Sequence, residues 1–255
     1  MLLNNSVVQT ESMNDATVLK RLETLKAHFD NGDIPVLHQH EVNPGLPPGS
    51  RENYLYFVMT CSLNFQRSSP ATWKSALDTW NDEETWFVFF PEKVARTEES
   101  VLRASLLKHK LALQPNRHTQ IWRTISGTFH EFFQDDPRRL FEEGEYDAGA
   151  VLNVVQKKMK KDFPYLSGPK LSNYFIFILL AYSDLKLRNT HLISIIPDTH
   201  IMRATTVLGI LPQDEISPKS VEKAWRDLLE GTDYSPIDFH SLLWNWSRNR
   251  FEPKV

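Results

Sequence analysis

Apolar residues recur at helical spacing in one segment after another, and no alternating run of strand length interrupts them. That pattern predicts an all-α chain with short connections. The strongest instance is Glu52–Asn64, ENYLYFVMTCSLN, apolar on nearly every side and so a helix to be buried. Other helices are predicted at Ala16–Phe29, Ser69–Trp80, Thr97–Leu107, Arg117–Phe133, Tyr146–Lys161, Lys170–Tyr182 and Thr199–Leu208. Two more start at Ser217-Pro218 and Ser235-Pro236, where serine caps and proline fills the first turn. Asn14 or Asp15 caps the first helix, and Ser69-Pro70 opens the third segment in the same way. Trp86–Phe90 reads as a short strand or as a helix ended by Pro91, and Asp136-Pro137 opens a short turn. Asn31–Ser50, with four prolines, is a loop.

A chain of 255 residues can bury a large core, as one domain or two lobes. Residues 1–15 read as loose and lack the basic start and apolar centre of a signal peptide. The longest apolar run, Tyr174–Tyr182, is too short to span a bilayer. A soluble, cytoplasmic protein with no membrane partner is expected. The single cysteine, Cys61, excludes an intrachain disulfide, a four-cysteine zinc site and an iron–sulfur cluster, and it reads as a core residue. His38 and His40 could pair on a metal but lack a third ligand at a recognisable spacing, so no metal or cofactor is expected. The net charge of −3 argues against a protein that coats nucleic acid, but leaves room for a local basic face.

Two short segments carry chemistry. Leu166-Ser167-Gly168-Pro169-Lys170 joins a lysine-rich helix to a new one through a glycine hairpin. Backbone N–H groups opening the second helix can bind a phosphate oxygen, although an ordinary helix start has the same composition. Further on, Pro197-Asp198-Thr199-His200 begins another helix, where Asp198 is well placed as an N-cap.

Taken together, these segments resemble the helix-hairpin-helix DNA glycosylase superfamily, which includes endonuclease III and the 8-oxoguanine glycosylases. The family's leucine–x–glycine–x–lysine hairpin is matched by Leu166, Gly168 and Lys170. Its aspartate segment is matched by Pro197, Asp198, Thr199, His200, Arg203, Leu208 and Gly209. Ser167 stands where the common pattern has proline or another glycine nearby. The interval from Leu171 to Pro197 is longer than in endonuclease III relatives. It is similar to that of the archaeal 8-oxoguanine glycosylase branch, which also lacks an iron–sulfur cluster.

The resemblance implies two helical lobes with a cleft between them. Residues 50–185, with the hairpin motif at about 151–182, would form a central lobe, and 16–49 with 186–255 the second. It implies a nucleoid-associated monomer that binds double-stranded DNA, flips out a damaged or modified base and excises it. Asp198 would stabilise the positive charge that grows on the deoxyribose. Lys170 would attack C1′ as a neutral amine, giving a Schiff base and strand cleavage. Leu166, Ser167, Gly168, Lys161 and Arg203 would contact DNA, together with the loop residues Asn64, Gln66 and Arg67 beside Phe65 as a wedge. Trp73, Trp122 and Trp244 are available to stack on the base, or else belong to the core. Two other readings stay open. One is a glycosylase without lyase activity, aimed at bulky modified bases such as those of phage DNA. The other is a non-enzymatic helical DNA-binding module.

Overall fold

A computed structural model describes residues 15–36, 42–65 and 67–255. Met1 to Asn14, the pair His38 and His40, and Gln66 lie outside the described residues. The chain enters through α1 (Asp15–Asp30). It continues through α2 (Arg51–Ser62), α3 (Ser69–Asn81), α4 (Pro91–Val94), α5 (Glu99–Lys108) and α6 (Pro115–Phe132). Next come α7 (Arg138–Glu143), α8 (Ala148–Asn153) and α9 (Pro169–Tyr182). The chain closes with α10 (Thr199–Val207), α11 (Pro218–Leu229) and α12 (His240–Arg248). Among the described residues there is no strand, only an isolated bridge between Asp147 and Arg188.

The helices sort into two compact units. Residues 42–193 form one, and residues 15–36 group with Ser194–Val255 in the other. In the larger unit α2 is the central element. Ser50 caps it by accepting the Asn53 N–H at 3.2 Å, and every residue from Asn53 to Ser62 is buried. Tyr56 lies among the rings of Trp73, Trp80 and Phe89, with centroids 5.5–6.0 Å away. Each large side chain fully buried in this way contributes about 1.5–3 kcal/mol. Its hydroxyl still finds a partner, donating to the Val42 carbonyl at 2.7 Å. α9 packs on α2, and its residues from Leu171 to Ile176 are likewise buried.

The smaller unit is amphipathic throughout. α1 buries Val18, Leu22 and Leu25, one stripe at helical spacing. α11 buries Val221, Trp225, Leu228 and Leu229 behind a capping box in which Ser217 and Ser220 exchange hydrogen bonds. The Trp225 indole N–H donates to Thr205 Oγ1 at 2.9 Å, tying α11 to α10.

Several expected elements take a different form. Trp86–Phe89 is a 3-10 turn, ended by Phe90, which is held extended at φ −103° and ψ 110° ahead of Pro91. Ser69 lies inside α3 rather than capping it, and its hydroxyl meets Asn64 and Tyr174 instead. Pro236–Phe239 is also a 3-10 turn, leading into α12. The helix expected over Tyr146–Lys161 begins later and breaks. Asp147 caps α8 by accepting the Ala150 N–H, and Val154–Lys158 is a π-turn in which Met159 N–H reaches back to the Val154 carbonyl.

The long interval between Lys170 and Asp198 has a structural use. α9 runs to Tyr182, and the segment after it returns to the start of α8. There Arg188 N–H donates to the Tyr146 carbonyl at 2.8 Å and Ala148 N–H donates to the Arg188 carbonyl at 3.0 Å. Asn189 Nδ2 donates to Asp147 at 2.5 Å.

Candidate functional site

In the smaller unit the residues singled out in the sequence gather at the start of α10. Asp198 is its N-cap, and Oδ1 accepts the N–H groups of both His200 and Ile201 at 2.9 Å. The second carboxylate oxygen, Oδ2, has no hydrogen-bond partner among the described residues, and the residue is half-buried. One oxygen is thus fixed by the helix while the other is not. His200 shares a 3.1 Å hydrogen bond between Nδ1 and Ser247 Oγ, and its ring meets Trp244 edge-on at 5.1 Å. The Arg248 guanidinium lies 4.8 Å from the centre of the Trp244 ring. Burial pushes the His200 imidazole below its ordinary pKa, Asp198 opposes that shift, and Arg248 and Arg203 add to it. Asp198, Arg203 and Trp244 are therefore neighbours of one histidine, with Ser247 and Arg248 completing the group. The last two were missed in the sequence; the available signal was Arg248 standing one helical turn after Trp244.

The larger unit holds the hairpin. The π-turn leads through residues 159–168 into α9. The turn is closed by backbone bonds from Leu166 N–H to Pro164, Ser167 N–H to Phe163 and Gly168 N–H to Tyr165, at 2.8–2.9 Å. Gly168 is the N-cap of α9 with an ordinary φ of −67°, so it is not needed for a left-handed turn. Closeness is what favours glycine here, since a Cβ would lie 3.1 Å from the Tyr165 carbonyl oxygen. The left-handed position is Tyr165, at φ +65°. Lys170 stands in the first turn of α9, exposed and without an ion pair or hydrogen bond to a described residue. The lysines at 157, 158, 160 and 161 are exposed and unpaired in the same way. With Lys170 they set five cations against Asp162 alone between residues 154 and 170, in a chain of net charge −3.

Other nominated residues take more structural roles. Leu166 is 1% exposed and packs inward, so only its backbone is left to meet DNA. Arg67 donates from Nη1 to the Leu111 carbonyl at 2.7 Å and from Nη2 to the Lys110 carbonyl at 3.1 Å, bracing the loop between α5 and α6. Asn64 Nδ2 donates to Ser69 Oγ at 3.3 Å. Trp73 and Trp122 are 0% exposed, and their indole N–H groups donate to Tyr174 Oη and the Val88 carbonyl. Neither ring has a face to offer a base, which corrects the pocket assignment for both. Exposed apolar groups stand elsewhere: Phe65 at 41% and Leu113 at 52%. Leu113 was not singled out in the sequence, where a lone leucine in a loop carries no signal.

A cavity of about 490 Å³ in the larger unit is lined by Gly49, Tyr54, Arg138, Phe141, Asp184 and Lys186 among others, and contains none of the nominated residues. Tyr54 donates to Asp184 there at 2.8 Å, and burial pushes its phenol up to about 12. Among the described residues no group of three or more His, Cys, Asp or Glu side chains could hold a metal ion, and no helix is long and apolar enough to cross a membrane.

Histidine burial gives a pH prediction. His118 is buried, and its Nδ1 accepts the Leu113 N–H at 3.1 Å. Burial first, then Arg67 and Arg117, lower its pKa; His200 is lowered as well. The unfolded chain therefore binds more protons than the folded one just below the ordinary histidine pKa. The stabilising contribution is complete above about pH 6.5 and is lost as pH falls towards the depressed folded values. Urea midpoints are expected to be level above neutrality and to decline below it, with His118→Gln removing part of the decline. An unchanged slope in that variant contradicts the assignment to His118.

No protein-family profile and no curated protein sequence matches the chain. Solved structures do, and they show the fold: the chain is similar in fold to two solved enzymes bound to DNA. One similar structure is endonuclease III trapped as a covalent intermediate with DNA, in an estranged-adenine complex. It matches with a TM-score of 0.58 over 95% of this chain and 90% of that one, at 13% identity. Another is the 8-oxoguanine glycosylase/lyase of Clostridium acetobutylicum bound to double-stranded DNA with cytosine opposite 8-oxoguanine. It matches with a TM-score of 0.54 over 97% of this chain and 77% of that one, at 12% identity.

Proposed function

We propose that the protein is a DNA N-glycosylase that takes a damaged or modified base out of the duplex and releases it from the sugar. The observation that carries this reading is Asp198: a helix N-cap with one oxygen held by two backbone N–H groups and the other free, in a chain with a glycosylase fold. Cleaving the bond between base and sugar builds positive charge on the deoxyribose, and a fixed carboxylate stabilises that charge without reorganising. The free oxygen can also take a proton from an attacking water or amine. Trp244, half-buried beside His200, is the remaining aromatic candidate for stacking on the base. The unpaired lysines and the amide groups opening α9 suit phosphate oxygens of duplex DNA. Phe65 and Leu113 suit filling the gap that a flipped base leaves.

In the fuller form of the reading Lys170 is the nucleophile. Its amine displaces the base at C1′, the sugar ring opens to a Schiff base, and elimination then cleaves the strand. One observation favours a simpler form in which water attacks. Lys170 is exposed in the first turn of α9, where a lysine also serves to hold phosphate. Borohydride trapping separates the two. If Lys170 is the nucleophile, the protein becomes covalently attached to substrate DNA and Lys170→Gln abolishes attachment. If water attacks, abasic sites accumulate without nicks, no adduct forms, and Lys170→Gln weakens binding only. Trapping that survives the substitution removes Lys170 from the role.

A further inference from the structure

Tyr165 occupies the left-handed region at φ +65°, where glycine or asparagine sits easily and an aromatic residue does not. Its hydroxyl has no hydrogen-bond partner among the described residues. What the side chain has instead is neighbours on its ring. Phe65 packs against it at 4.7 Å with an interplanar angle of 43°. The Arg117 guanidinium lies 5.0 Å from its centre, and His118 meets it edge-on at 6.4 Å. These contacts come from separate parts of the chain: Phe65 from the loop after α2, Arg117 and His118 from the first turns of α6. The same parts hold the loop between α5 and α6, through the Arg67 bonds to Lys110 and Leu111 and the Leu113 bond to His118. One loop and the start of α6 thus meet on one strained hairpin residue, and the loop after α2 and the loop that Arg67 and His118 hold carry the exposed Phe65 and Leu113. Strain of this kind persists where the surroundings over-determine it, and it clusters at working sites.

We propose that Tyr165 is a positioning residue that fixes the phosphate-gripping hairpin in register with the Phe65 loop. The backbone step held by the hairpin and the base step opened by Phe65 are then a set distance apart. This rests on the glycosylase reading, because register matters only to a protein that distorts the duplex. The ring does the work and the hydroxyl does not, so substitutions at this one position separate backbone, ring and hydroxyl. Tyr165→Phe keeps the ring. Tyr165→Gly removes the ring while easing the backbone, and Tyr165→Asn removes it with a residue that also tolerates the left-handed region.

The probe is a duplex with a tetrahydrofuran abasic analogue next to 2-aminopurine, whose fluorescence rises when stacking is broken. Wild type and Tyr165→Phe are expected to give the same rise. Tyr165→Gly and Tyr165→Asn are expected to bind undamaged duplex within about twofold of wild type, yet to lose roughly five- to tenfold in the equilibrium for opening the stack, the size of one aromatic and one cation–π contact. Thermal melts of the variants establish that they are folded. Full opening by Tyr165→Gly or Tyr165→Asn overturns the proposal, as does loss of opening in Tyr165→Phe. Wild-type protein that leaves the probe stacked overturns the glycosylase reading itself, and the proposal with it.

Discussion

Asp198→Asn is expected to slow base release by about a hundred- to a thousandfold, while folding and duplex affinity stay close to wild type. Asparagine is almost isosteric with aspartate and caps helices as well, so its side-chain oxygen can keep the bonds from the His200 and Ile201 N–H groups. The substitution replaces only the free oxygen with an amide and removes the negative charge. A mere cap would hardly register it. Asp198→Ala makes the contrasting case, because it also forfeits the cap, a loss of about 1 kcal/mol. Single-turnover release of base, together with a melting curve for each variant, separates the two roles. An Asn variant that releases base at the wild-type rate removes Asp198 from the chemistry. In a non-enzymatic DNA-binding module the change is silent.

Trp73→Ala is expected to have the largest effect on stability, about 3–5 kcal/mol in urea unfolding. The ring has no exposed surface, touches Tyr56 and Phe57 at 5.6–6.0 Å, and donates its N–H to Tyr174. Truncation leaves a cavity at the centre of the larger unit and strips the Tyr174 hydroxyl of a donor. Against a total stability of about 5–15 kcal/mol, the loss is severe. Trp244→Ala is expected to behave in the opposite way. Its ring is half-buried, so unfolding shifts less, while stacking on a base would be lost. A stable, folded Trp73→Ala variant with impaired base release would return Trp73 to the pocket.

The helical class was legible because the apolar stripes of α1, α6 and α11 repeat at one period with no competing alternation. Their ends were legible too wherever serine, proline or aspartate marked a first turn, as at Ser217. The break after Asn153 was not, since a π-turn preserves the same apolar content as the helix it interrupts. The tryptophans were ambiguous for a related reason. An aromatic at helical spacing looks the same whether its ring is enclosed, as in Trp73 and Trp122, or partly open, as in Trp244. Asp198 stood out through its neighbours Pro197, Thr199 and His200, although capping alone accounts for an aspartate there. Its free oxygen, and the His200–Trp244–Arg248 group beside it, needed α12 folded against α10. Tyr165 gave no sign at all, because left-handed turns are normally announced by glycine or asparagine.

As the glycosylase proposed above, the protein would release a base from DNA. The most direct measurement presents it with a panel of duplexes, each carrying one oxidised, deaminated, alkylated or glucosylated base, and detects free base by mass while counting abasic sites and nicks separately. The expected result is free base from at least one duplex, with an equal number of abasic or nicked strands, and almost none with Asp198→Asn. Duplexes that are bound across the panel and recovered with every base in place would contradict the account.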